Sequence, residues 1–162
     1  MQAEGLKTAQ RVKWLGYGGL LPFVGLLVAV VIDPHHRQYW AGAQASYGAV
    51  ILSFVAGLHW AFAMTLQPLD ESRRGRLLLW SVVPPLIGWL ALLLPPLYAN
   101  GLLISAFAAH YWFDRRLARS TQALPGWYLP LRLNLTLAAC LSLLGAALVM
   151  AYGWSPERQT WV

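Results

Sequence analysis

Twelve basic and six acidic side chains fall in a few short stretches of this 162-residue chain, leaving five apolar windows at about 14–32, 42–66, 77–95, 97–113 and 131–152. Each is about 17 to 25 residues long, the length a helix rising about 1.5 Å per residue needs to cross a hydrocarbon core about 30 Å thick. In lipid every backbone N–H and C=O must be paired within its own segment, so windows of this kind predict helices. The expected fold is all-α: a polytopic membrane protein, a bundle of five transmembrane helices. Composition agrees, with 58% apolar and 11% charged residues, against about 25% charged in soluble domains. That balance excludes a disordered chain and argues against a water-soluble globule.

Little chain lies outside the windows: an amino-terminal arm (1–13), short loops, a tight connection at Pro95-Pro96 and a tail (153–162) flanking the 14–152 transmembrane domain. No soluble catalytic domain fits there, so function is expected within the helices or at their ends. Lys7, Arg11 and Lys13 precede the first apolar run as in a targeting peptide. The run from Trp14 to Ile32, however, is long and ends in Asp33-Pro34-His35-His36 instead of a small-residue cleavage site. It reads as a retained first helix. Cys140 is the only cysteine and sits among Ala and Leu, which points to a small core residue and rules out an intramolecular disulfide or a cysteine metal cluster.

Basic residues set the expected orientation. Lys7, Arg11 and Lys13, then Arg73, Arg74 and Arg76, then Arg115, Arg116, Arg119 and Arg132 fall on one side, against Arg37 and Arg158 on the other. This asymmetry predicts a cytoplasmic amino terminus and a periplasmic tail. It also accounts for the net charge of +6 through anionic headgroups, with no nucleic-acid partner.

Several windows carry packing signals. Pro22 follows Gly16, Gly18 and Gly19 and removes the hydrogen bond to the Gly18 carbonyl, predicting a kinked, closely packed entry. In the second window Ala45, Ala49, Ser53, Gly57, Ala61 and Thr65 recur every four residues, a ridge for close helix crossing within the molecule or between copies. In the third, Pro84 and Pro85 deprive the Trp80 and Ser81 carbonyls of helical donors and predict a kink; a substrate site of the broken-helix kind is the sharper alternative. The aromatic run His110 to Phe113 before Asp114-Arg115-Arg116, and the Leu124–Pro130 segment with Trp127 and Tyr128, read as interfacial anchors.

Ionisable residues within a span are costly and draw attention to function. His59 and His110 both fall toward the cytoplasmic leaflet, about 10 Å and about 4.5 Å from the ends of their windows at about 1.5 Å per residue. Asp114, four residues beyond His110, can accept from its imidazole N–H, and Asn134 lies at a comparable depth. Two readings stay open. In one these groups hydrogen-bond helices together. In the other His59, His110, Asp114 and Asn134, edged by Trp60 and Trp112, form a cofactor-binding site for a quinone, lipid or proton, or for a haem held by two imidazoles. Asp33, His35 and His36 read as a solvated loop, and no metal site is expected. No Ser-His-Asp order, paired intramembrane carboxylates, phosphate loop or zinc-protease motif is present.

Four segments together resemble the transmembrane-protein-69-like family, small multi-span membrane proteins of unknown function. They are Trp14–Phe23, Tyr47–Trp60 with its Tyr-Gly-Ala-Val-Ile-Leu-Ser-Phe run, Pro85–Pro95, and Trp127-Tyr-Leu-Pro-Leu-Arg132. The resemblance covers nearly the whole chain from Trp14 to about Tyr152. It implies an inner-membrane location and supplies no activity. The expectation from the sequence is therefore a non-enzymatic accessory, scaffold or assembly protein of the bacterial inner membrane, packing in the lipid bilayer against other membrane proteins or its own copies. The alternative is a binder or carrier of a lipid-soluble molecule or protons using the His59 and His110 layer. No resident cofactor is expected in the first case; haem or quinone belongs to the second.

Overall fold

The structure, a computed structural model, describes residues 2–121 and 124–153, with side chains from residue 9 onward. They form six helical segments: α1 (Gln2–Gly18), α2 (Leu21–Ile32), α3 (Arg37–Thr65), α4 (Glu71–Ala91), α5 (Pro96–Ser120) and α6 (Tyr128–Tyr152). The contacts α2·α3, α3·α4, α4·α5, α5·α6 and α6·α2 close a ring; α3 also touches α5 and α6, and α1 lies on α6. α3 is thus the element every neighbour in the ring shares.

The first window is interrupted by a turn at Gly19 and Leu20, which separates α1 from α2. Pro22 lacks an N–H, and the chain breaks just before it: Leu20 donates to the Tyr17 carbonyl in a tight turn, and Pro22 falls in the first turn of α2. The freed Gly19 carbonyl accepts from the Tyr47 hydroxyl of α3 at 2.8 Å. The arm at 1–13 is helical from Gln2 and runs on into α1, while residues 154–162 of the expected tail lie outside the described residues. The helix of the third window runs without interruption through Pro84 and Pro85. Helices also extend past the apolar windows. α3 starts at Arg37, α4 at Glu71 behind the Asp70 side chain, which accepts from the Arg73 N–H, and α5 continues to Ser120. Propensity and capping carry a helix beyond the hydrocarbon thickness.

Ala9–Ile32, Arg37–Thr65 and Tyr128–Tyr152 are long and apolar enough to cross a membrane. In α4 the apolar stretch is shortened by Glu71, Arg73, Arg74 and Arg76, and in α5 by Asn100, His110 and the residues from Asp114 to Arg119. The distribution of side chains is inverted relative to a soluble bundle. Leu15, Leu21, Val50, Phe54, Leu93 and Leu141 point outward, whereas the central core is rich in alanine, with Ala45, Ala49, Ala91, Ala99, Ala106 and Ala139 around Phe23, Leu52, Leu103, Phe107 and Leu143. Apolar surroundings remove the incentive to bury large side chains, and small ones let backbones approach.

The interior is layered. Val30, Ala41 and Ala146 form an apolar cluster at one end, and Ala63, Leu77 and Leu117 one at the other, with the central core between them. Each boundary carries a polar layer. Gln44 Nε2 donates to the Phe23 carbonyl and to Ser142 Oγ, both at 3.0 Å, and Asn100 Nδ2 donates to the Leu143 carbonyl at 3.3 Å. The second polar layer holds His59 and His110.

The four-residue ridge on α3 divides between these environments. Ala45 and Ala49 are buried, and Ala49 meets α4 where a Cβ added to Gly88 would lie 3.4 Å from its backbone. Ser53 is half-buried, and Gly57, Ala61 and Thr65 face outward. A four-residue step advances farther than one full turn, so a row that begins inside rotates out.

Candidate functional site

His59 projects from α3, His110 and Asp114 from α5, and Tyr128 and Arg132 from α6, all buried at the boundary of the central core. Asp114 is the hub. Its Oδ2 accepts from Arg132 Nε at 2.8 Å, its Oδ1 accepts from the Tyr128 hydroxyl at 3.1 Å, and His59 Nε2 stands 3.3 Å from Oδ1. The His59 contact has ion-pair distance without hydrogen-bond alignment, so both ring nitrogens of His59 lack a hydrogen-bond partner.

His110 is held otherwise than its spacing from Asp114 predicts. Its Nδ1 accepts from the Trp80 indole N–H at 3.1 Å. An indole only donates, so Nδ1 carries no proton and a neutral His110 is protonated at Nε2. The Val55 carbonyl stands within reach of the ring as an acceptor, in a geometry too poorly aligned for a full hydrogen bond to Nε2. Trp80 stacks on Phe113 with centroids 4.6 Å apart, and Phe113 and Phe62 present edges to His59. The floor of the layer is therefore aromatic, and it fixes both imidazoles.

The structure brings His59, His110 and Asp114 together and sends Asn134 elsewhere. Asn134 faces outward and bonds the Tyr17 hydroxyl of α1 at 3.3 Å, because it lies two residues from Arg132 and so on another face of α6. Trp60 and Trp112 also face outward, the latter under the Arg116 guanidinium; the indole of the layer is Trp80. Tyr128 is buried in the interior of the bundle. Tyr128, Arg132 and Thr136 step by four along the buried stripe of α6 that continues through Ala139 and Leu143. That periodicity is present in the sequence, where Arg132 counts only toward orientation and the family resemblance. Trp80 leaves no such signal, since its role depends on α4 packing against α5.

One ligand atom from each of His59, His110 and Asp114 lies within 4.8 Å of the others, the donor set of a divalent transition metal. Arg132 weighs against a cation there, since its fixed positive charge already occupies the carboxylate. A haem between the imidazoles does not fit: the rings touch edge to face with centroids 4.8 Å apart, leaving no slot for a macrocycle. A neutral molecule or a proton meets neither obstacle.

At the opposite boundary Asp33 accepts from the Trp40 indole at 3.0 Å and lies 3.0 Å from His36 Nδ1. The Trp40 N–H first, and then the His36 contacts, hold the Asp33 carboxyl down at about 2 against the opposing effect of desolvation. This group is a satisfied turn that leads into α3.

A family model described as "Protein of unknown function (DUF3429)" matches residues 8–148, a range that contains every residue of the buried layer. Transmembrane protein 69 of Xenopus tropicalis is 33% identical over 146 residues, which make up 88% of this chain and 56% of that protein. The chain thus spans just over half the length of this curated relative. No solved structure matches it. With its interior of small side chains, its outward apolar surface and this match along most of its length, the chain is a membrane protein belonging to the DUF3429, transmembrane-protein-69-like family.

Proposed function

We propose that the protein is a non-enzymatic binding protein of the bacterial inner membrane, crossing it five times with a cytoplasmic amino terminus, and that the buried layer around His59 and His110 receives a small lipid-soluble molecule. The topology is supported by the five apolar windows and by the concentration of Arg and Lys on alternate connections. One observation carries the binding role. His59 Nδ1, Arg132 Nη2 and Thr136 Oγ1 are buried on this layer without hydrogen-bond partners. Leaving such a group unpaired costs about 1–3 kcal/mol, so an occupant that offers them a polar atom gains stabilisation there.

The test is a mass spectrum of the lipid extract from protein purified gently out of its native membrane. A molecule present in stoichiometric amount, and lost from the His59→Ala, His110→Ala double variant while the fold persists, is the expected result. Its absence from the wild type would sink the reading. A second reading, an accessory subunit, is favoured by the outward half of the α3 ridge, where a Cβ on Gly57 would meet no atom within 4 Å. A stoichiometric membrane partner in the same preparation would support it.

A further inference from the structure

A crevice of about 170 Å³ runs into the bundle where the α1–α2 break faces α3 and α6. Its walls are apolar, with Phe23, Ile51, Val55 and Phe107 among them, and its inner surface includes Arg132 and Thr136. Two of its lining residues are closely packed glycines. A Cβ added at Gly16 would lie 3.0 Å from Leu135 Cδ1, and one at Gly19 would lie 3.2 Å from the Gly16 carbonyl. The mouth is flanked by Leu15 and Phe54, 78% and 69% exposed on the outer apolar surface.

The polar end of this crevice is a pair of donors. Arg132 is 6% exposed and donates through Nε to Asp114, but its Nη2 has no partner; Thr136, also 6% exposed, has an unpartnered hydroxyl. They are four residues apart and so on the same face of α6. An occupant must therefore bring an acceptor, and a carbonyl oxygen with two lone pairs can accept from both. It must also be neutral. Arg132 is balanced by Asp114, and a further anion would be an uncompensated charge away from water. Size limits the head: a cavity of about 150 Å³ lined by apolar side chains holds a benzene ring, and this one is little larger.

We propose that the crevice binds a quinone-class lipid, a neutral ring whose carbonyl oxygen accepts from Arg132 Nη2 and Thr136 Oγ1, with its tail leaving between Leu15 and Phe54 into the bilayer. This deepens the binding role proposed above and rests on it, because Arg132 joins the crevice to the Asp114 and His59 layer.

Calorimetric titration of the full-length protein in detergent micelles, with a short-tailed benzoquinone and separately with a fatty acid of matched tail, tests the assignment. The quinone is expected to bind saturably and more tightly than the fatty acid. Its affinity should fall at least about fivefold in Thr136→Val, one hydrogen bond's contribution with the shape retained, and should be lost in Ile51→Trp, which fills the crevice. No saturable quinone binding, tighter binding of the fatty acid, or undiminished affinity in Thr136→Val would overturn it. Thr136→Val is conservative enough to stand alone if Ile51→Trp fails to fold. His59→Gln separates the two proposals. Quinone affinity that falls with His59→Gln and not with Thr136→Val rejects the crevice and keeps the histidine layer; the converse keeps the binding role and the crevice and places the molecule out of contact with His59.

Discussion

Asp114 illustrates how a single residue organises a membrane interior. Its carboxylate is shared by Arg132, Tyr128 and His59, so three helices meet on one charge. Removing one partner of a buried pair leaves the other charge uncompensated, which costs about 3–5 kcal/mol, while replacing both with apolar residues can be nearly neutral. Arg132→Met is accordingly expected to destabilise the protein by roughly that amount, and the double variant Asp114→Leu, Arg132→Met by clearly less. Equilibrium unfolding in mixed micelles measures both, and equal losses would mean that the pair is not the dominant interaction of Asp114. His59 and His110 are legible in the amino-acid sequence, because an ionisable residue in an apolar window stands out by type alone, and Asp114 enters through its four-residue spacing from His110. Type alone gives no ground for removing Asn134 or for adding Trp80, since each depends on which way a side chain points around its helix and what packs there.

At the scale of the helix, α3 shows the same division. Its four-residue row of small side chains is visible in the sequence, but the row covers two surfaces. Ala45 and Ala49 let α4 approach to the point where a Cβ on Gly88 would already be in van der Waals contact with Ala49, leaving no room for a long side chain, while Gly57 and Ala61 face outward, a Cβ on Gly57 meeting no atom within 4 Å. Gly88→Leu is expected to cost about 1–3 kcal/mol through overpacking. Gly57→Leu should leave folding unchanged. Unfolding of the two variants side by side is the measurement, and a Gly57→Leu protein that fails to fold would place that half of the row inside the molecule. Pro22 makes a related point. Its missing N–H forecasts a disturbance, yet the break between α1 and α2 also needed the Tyr47 hydroxyl to satisfy the Gly19 carbonyl, a partner from 28 residues away.

For the whole molecule, the proposed topology assigns every loop a side. With Cys140→Ala as background, His35→Cys should react with a membrane-impermeant maleimide added outside intact cells, and Ser72→Cys only after the cells are opened. Reaction of both from one side would refute five spans with a cytoplasmic amino terminus. The layered interior gives this arrangement a physical logic: apolar clusters alternate with polar layers, and both layers keep unpaired atoms, the acceptors Gln44 Oε1 and Asn100 Oδ1 in one and the donors Arg132 Nη2 and Thr136 Oγ1 in the layer nearer the arginine-rich connections.

The helical class, the membrane environment and the two histidines in the spans could be read from the amino-acid order, and four segments carried the family resemblance. Composition and one-dimensional spacing depend on the solvent around each segment and not on its neighbours. Packing was needed to show that the helices close a ring around a shared α3, that Tyr128, Arg132 and Trp80 complete the buried layer in place of Asn134, and that a crevice at the α1–α2 break ends on two unpaired donors. Every helix offers several faces, and which one turns inward is set by packing between segments far apart in the chain.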